Sequence, residues 1–202
     1  MKPLMCGTAV ALALVAAASS QAGPVRPSTI PVHDLRMRAN VYSALDALAE
    51  KYHVVIGVYG IHIGPGGHFV EISLKDGTLG QAFDAVVSAY PQFQWKETDS
   101  GAVHFTFRDA PLPLLDVTVH MFDVENPGRM ETTGLLTQAP EVAAWLRDHR
   151  CSMDELVAGH IPEEWGKFAV HAKEAPLSAV FDEIAAKSGA YHWGVTVQRR
   201  TM

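Results

Sequence analysis

One arrangement of apolar and polar positions recurs three times along the chain. It reads apolar, two residues, Ala or Val, a large apolar residue, Asp, one residue, apolar, small apolar. The copies are Val41-Tyr-Ser-Ala44-Leu45-Asp46-Ala-Leu48-Ala49, Leu79-Gly-Gln-Ala82-Phe83-Asp84-Ala-Val86-Val87 and Leu177-Ser-Ala-Val180-Phe181-Asp182-Glu-Ile184-Ala185. Apolar side chains at i, i+3, i+4, i+7 and i+8 share one helical face, so each copy predicts an amphipathic helix. Burying four or five of them contributes on the order of 6–12 kcal/mol gross per helix, before chain entropy is subtracted. The flanks agree. Asn40 suits an N-cap, Thr78 with Gln81 a capping box, Pro176 the first helical position and Gly189 the C-terminal stop. Copies one and three match further: Val55-Ile56-Gly57-Val58 parallels Tyr191-His192-Trp193-Gly194-Val195 with one insertion, which predicts an internal duplication. The recurring Asp lies beside the apolar stripe of a short helix. It reads as a solvated flank rather than a catalytic acid.

Strand patterns fill the intervals. Val70, Ile72 and Leu74 alternate with Glu71, Ser73 and Lys75, and Val103, Phe105 and Phe107 alternate with His104, Thr106 and Arg108. Phe93-Gln-Trp95 precedes the second run across Thr98-Asp-Ser-Gly101, the signature of a hairpin. The unbroken run Val54 to Val58 fits a central strand. Val117 to Met121, Phe168 to Val170 and Trp193 to Val197 predict further strands. Pro140 to Arg150 predicts a helix with Val142, Trp145 and Leu146 inward, and Ser152 with Glu155 predicts a capped helix from Met153 to Ala158. The order is β-α-β-β-α-β-β, then a link at 109–116 carrying two prolines, then β-α-α-β-α-β. This predicts an α+β fold of two small layered β-α-β-type units, short sheets with helices packed on one face, internally duplicated.

The N-terminus adds a location. Lys2, an apolar stretch from Leu4 to Ala18 and Ser20-Gln21-Ala22 have the layout of a secretory signal peptide. The apolar run is shorter than the roughly 20 residues a spanning helix needs. Cys6 precedes it, the wrong order for lipidation at the cleavage site, and leaves with the signal. The expected division is therefore a signal peptide at 1–22, one domain at 23–110 and a second, divergent β-α-β-like domain at 111–202. Cleavage leaves one cysteine, Cys151, so no intrachain disulfide forms and the core alone holds the fold. The whole chain of 202 residues is 48% hydrophobic and 19% charged, an ordinary globular balance that excludes a disordered chain or a coiled coil. Its net charge of −6 argues against a nucleic-acid partner, which needs clustered positive charge.

Chemistry is sparse. There is no Gly-x-Ser-x-Gly elbow, no His-Glu-x-x-His, no Cys-x-x-Cys and no phosphate loop. Cys151 follows His149 and Arg150, and neighbouring basic groups favour a thiolate. It falls, however, where one predicted helix ends and the next begins, which suits a partly buried structural cysteine. His62 and His68 flank a glycine-rich loop able to bring two imidazoles together, but spacing fixes no third ligand for a metal. His104 and His120 occupy outward strand positions. His33, His53, His149, His160, His171 and His192 show no pairing pattern. No catalytic residue, metal or cofactor is expected, and no binding residue is assigned.

Residues about 30–108 resemble the short N-terminal domain shared by secretins and TonB-dependent receptors. The resemblance rests on Val41-xxx-Leu45-xx-Leu48-Ala49, on Val54 to Val58, on Val70-Glu-Ile-Ser-Leu74-Lys-Asp-Gly-Thr78-Leu79-xx-Ala82-Phe83-xx-Val86-Val87, and on the hairpin Phe93 to Phe107. Residues about 168–197 look like the first β-α-β unit of that domain again. The resemblance implies two helices against short sheets, a periplasmic location and contact with other proteins. The chain carries no segment able to close into a membrane barrel, so the recognition role is what carries over. The expected function is an exported, non-catalytic protein-binding module of the cell envelope, with a secretion or TonB-type component as partner. Two alternatives stand beside it: a periplasmic enzyme using the loop at 60–68 or Cys151, and a self-assembling structural protein.

Overall fold

The computed structural model describes residues 26–59, 69–109, 112–125, 129–156 and 167–199. The expected signal peptide and the loop holding His62 and His68 lie outside them. Asn40 opens the first helix by accepting the Ser43 N–H on its side chain at 3.0 Å. That cap turns strand β1 (Pro31–Asn40) into α1 (Val41–Tyr52), whose stripe Val41, Ala44, Leu45, Leu48 and Ala49 is buried. Strand β2 (Ile56–Tyr59) follows, buried along its length, and then β3 (Phe69–Thr78). Thr78 and Gln81 form the expected capping box at the start of α2 (Leu79–Ala89). The hairpin β4 (Phe93–Glu97) and β5 (Val103–Phe107) turns at Gly101, whose φ of 84° suits a residue without Cβ.

The second half holds β6 (Thr118–Glu125), α3 (Arg129–Gln138), α4 (Pro140–Asp148), β7 (Cys151–Leu156), β8 (Ala169–Pro176), α5 (Leu177–Ser188) and β9 (His192–Arg199). Strands β1 and β3 form one antiparallel ribbon, and β6 and β8 another. The rest make one five-stranded sheet in the order β4-β5-β2-β9-β7. At its centre β2 runs parallel to both β5 and β9. The architecture is α+β with small sheets and packed helices, as the alternation of elements predicts.

Two apolar cores flank the central sheet. One gathers α1 and α2 between the first ribbon and β2, β4 and β5; the other gathers α4 and α5 between the second ribbon and β7 and β9. Side chains alternate along β2, so Ile56 and Val58 enter the first core while Tyr59 enters the second. The expected boundary near residue 111 thus runs between the cores but across a continuous sheet. The helices carrying copies one and three precede β2 and β9, and these two strands lie side by side. The two ribbons are framed alike: Leu79 N–H donates to the Ile30 carbonyl and Leu177 N–H to the Val117 carbonyl, each at 2.9 Å.

Three local expectations are corrected. Cys151–Leu156 is a strand, not the start of a helix at Met153–Ala158. Ser152 and Glu155 have capping spacing, but the segment pairs antiparallel with β9 from Arg199 to Gly194, and that ladder satisfies its backbone instead. Helix α3 lies where no helix was expected, because its sequence lacks an apolar stripe. Pro176 takes the N-cap position with extended backbone, one residue before the first helical turn.

Candidate functional site

Each of the three recurring aspartates meets a different environment. Asp84 is exposed and accepts the Trp95 indole N–H at 2.9 Å. Asp46 is half-buried on α1, with one oxygen 3.4 Å from Nδ1 of the buried His192 and no hydrogen bond between them. Asp182 is only 6% exposed, which corrects the expectation of a solvated flank. A carboxylate this deep requires compensating donors. It has two: the Trp193 indole N–H at 2.9 Å and Nε2 of His104 at 2.9 and 3.0 Å from its two oxygens.

The network continues into the first half of the chain. Nδ1 of His104 lies 2.6 Å from the Tyr59 hydroxyl. The carboxylate can only accept and the indole can only donate, so the neutral ring carries its proton on Nε2 and accepts from Tyr59 on Nδ1. Tyr59 on β2 and His104 on β5 belong to the first half; Asp182 on α5 and Trp193 on β9 belong to the second. His104 does point away from the first core, as its alternation predicts, but α5 and Tyr59 cover that face of the sheet and leave it 4% exposed. Burial pushes the Tyr59 phenol far above its usual pKa, and the Asp182 and Asp116 carboxylates push it the same way. A hydrogen bond with Ser178 works against that shift.

Packing explains how the indole reaches Asp182. Trp193 lies opposite Gly57 in the β2–β9 ladder. A Cβ at Gly57 would stand 2.6 Å from Trp193 Cε2, so only glycine leaves room for the ring. Phe181 stacks on the other side, with ring centroids 4.9 Å apart. The sequence carries a sign of these pairs. Phe83-Asp84 and Phe181-Asp182 are each followed by a tryptophan eleven residues after the aspartate, and both indoles donate to that aspartate. The corresponding position after Asp46 is Gly57, which accommodates Trp193.

Beside the network lies a cleft of about 350 Å³. Its walls include Tyr59, Lys96, Thr106, Leu115, Asp116 and Ser178, drawn from both halves. Its volume falls within the range of small-molecule sites.

The other candidates separate. Cys151 is 8% exposed at the start of β7, where its thiol donates to the His149 carbonyl at 3.3 Å. Three histidines form cross-strand pairs that were not anticipated: His33 with Asp76 at 2.8 Å, His171 with Asp123 at 2.7 Å and His120 with Glu174 at 3.0 Å. His53 packs on Tyr191 and His149 stacks on Trp145. His160 lies outside the described residues. Among the described residues no cluster of three His, Cys, Asp or Glu side chains is arranged to hold a metal. No helix among them is long and apolar enough to cross a membrane. No protein-family model and no curated protein matches the chain.

Proposed function

We propose that the chain is an exported, non-catalytic protein-binding module of the cell envelope, which recognises its partner through the two outer ribbons. The observation carrying this reading is that β1/β3 and β6/β8 each consist of two strands. Among the described residues no third strand pairs with either. Open edges present unpaired N–H and C=O groups, the template for adding a strand from another protein. Among the described residues the two most exposed large apolar side chains sit one on each ribbon: Phe69 at 61% and Met121 at 67%. The residues shared with the secretin and TonB-receptor domain, and the signal-like N-terminus, support the same reading. The Tyr59–His104–Asp182–Trp193 network then acts as a buried lock between the halves, which holds the ribbons in a fixed relation.

Photo-crosslinking residues placed at Phe69 and at Met121 in the full chain test this in the native envelope. Crosslinks from either position to a secretion or receptor component, with the chain recovered from the periplasm, are the expected result. Recovery from the cytoplasm, or crosslinks only between copies of the chain, overturns it; the latter favours self-assembly.

A further inference from the structure

The cleft beside Tyr59 is lined by more than the network needs. Its floor is the face of β4 and β5 that turns away from the first core. There Lys96 stands opposite His104, and Gln94 opposite Thr106. Lys96 is exposed, and among the described residues its ammonium is in no ion pair. The far wall is built by the second half: Leu115 and Asp116 from the 3₁₀ turn Pro113–Asp116, and Ser178 from the first turn of α5. Asp116 is exposed, also in no ion pair among the described residues, and close enough to act electrostatically on the Tyr59 phenol. Arg108, whose Nε donates to the Pro91 and Phe93 carbonyls, lines the same cleft, so two cations from the first half and one anion from the second meet there with no ion pair between them among the described residues. Strands β4 and β2 are separated by β5, so Lys96 starts roughly 9–10 Å from the strand bearing Tyr59. Tyr59, Thr106 and Ser178, each with a hydroxyl, line the same cleft.

We propose that this cleft binds a short zwitterionic peptide of two or three residues, its carboxylate at Lys96 and its ammonium at Asp116. An extended peptide of that length spans about 7–10 Å. The cleft has the volume of roughly a dozen water molecules, enough for such a ligand. The Ser178 and Thr106 side chains line the cleft, where their hydroxyls can meet peptide groups. Tyr59, fixed by His104 and Asp182 below it, forms a rigid floor. This site lies apart from the ribbon edges, so it stands or falls independently of the partner reading above.

The test uses the ¹⁵N-labelled full chain and follows the Trp193 indole N–H resonance, which reports on Asp182 directly beneath Tyr59. The probes are Ala-Leu, Ala-Phe and Ala-Ala-Ala, with the C-terminal amide and the N-acetyl form of each, and free leucine. At least one free peptide is expected to give a saturable shift, and its amide and acetyl forms to bind about tenfold more weakly. Lys96→Met should abolish the preference for acid over amide, and Asp116→Asn the preference for free over acetylated amine. Both positions are exposed, so neither variant threatens the fold. No saturable shift up to about 10 mM, where even a millimolar site would be occupied, overturns the proposal. So does equal binding of the capped forms, or free leucine binding as tightly as the peptides.

Discussion

Replacing Asp182 by leucine removes the acceptor of two buried donors while roughly preserving volume. The Trp193 indole N–H and Nε2 of His104 both lose their partner, at sites 0% and 4% exposed. Each stranded donor costs about 1–3 kcal/mol, so the ceiling is about 6 kcal/mol. The imidazole recovers part of this by moving its proton to Nδ1 and donating to the Tyr59 oxygen. The indole has no such escape. The expected loss is therefore about 3 kcal/mol, a large share of the 5–15 kcal/mol typical of a folded domain. Asp182→Asn keeps an oxygen where both 2.9 Å contacts converge and loses mainly the charge, so about 1 kcal/mol is expected. Asp46→Leu is the control. It alters the same position of the same sequence pattern, but the Asp46 oxygen facing His192 already lacks a hydrogen bond. Its effect should stay within about 0.5 kcal/mol. Urea unfolding followed by tryptophan fluorescence and far-ultraviolet circular dichroism measures all three, with midpoints compared at constant slope. A loss below about 1 kcal/mol for Asp182→Leu, or one equal to that of Asp46→Leu, refutes the network as a stabilising lock.

Gly57→Ala should cost about 1–3 kcal/mol by forcing the Trp193 ring off β2, and near-ultraviolet circular dichroism should report the displaced indole. Thr78→Ala breaks the capping box of α2 and should lower stability by about 1 kcal/mol in the same urea assay. The hydrogen bond and charge of Glu174 raise the His120 pKa, and Glu141 adds to the effect against a small opposing desolvation. The resulting stabilisation is present below the unfolded value near about 6.5 and is lost as pH rises through the raised native value. Titration of the His120 ring by NMR should show that raised value, and Glu174→Gln should return it toward the ordinary one; an unchanged titration contradicts the pair.

Helices α1, α2 and α5 were legible because their signals are local. A stripe at helical spacing and a capping residue beside it mark each one within a dozen residues of sequence. The strands with alternating faces were legible for the same reason. What escaped depends on residues far apart in sequence. Ser152 and Glu155 imitate a helix start, and only the distant β9 makes the segment a strand. His104 points outward from its own half as its alternation dictates, yet α5 of the other half covers it. Asp182 flanks the apolar stripe of its own helix, and it is His104 on the sheet of the first half that closes over it. The tryptophan eleven residues after Asp84 and Asp182 is a sequence sign of an indole–carboxylate pair, buried only at Asp182. It couples a helix to the next strand rather than residues within one helical face, so helical periodicity does not reveal it.

The parallel pairing of Ile56 with His192 joins strands separated by most of the chain. During synthesis the N-terminal half emerges first, with β2 already flanked by β5 on one side. Its other edge then has no native partner until β9 has been made. Contacts of such long sequence separation slow folding, because loop closure precedes their reward. In that interval the nascent chain presents a flat, apolar strand edge, the kind of surface that seeds aggregation. A protease that clips β9 from the finished molecule would recreate the same exposed edge and strip Trp193 and Val195 from the second core. The central sheet is therefore complete only once its last strand is in place.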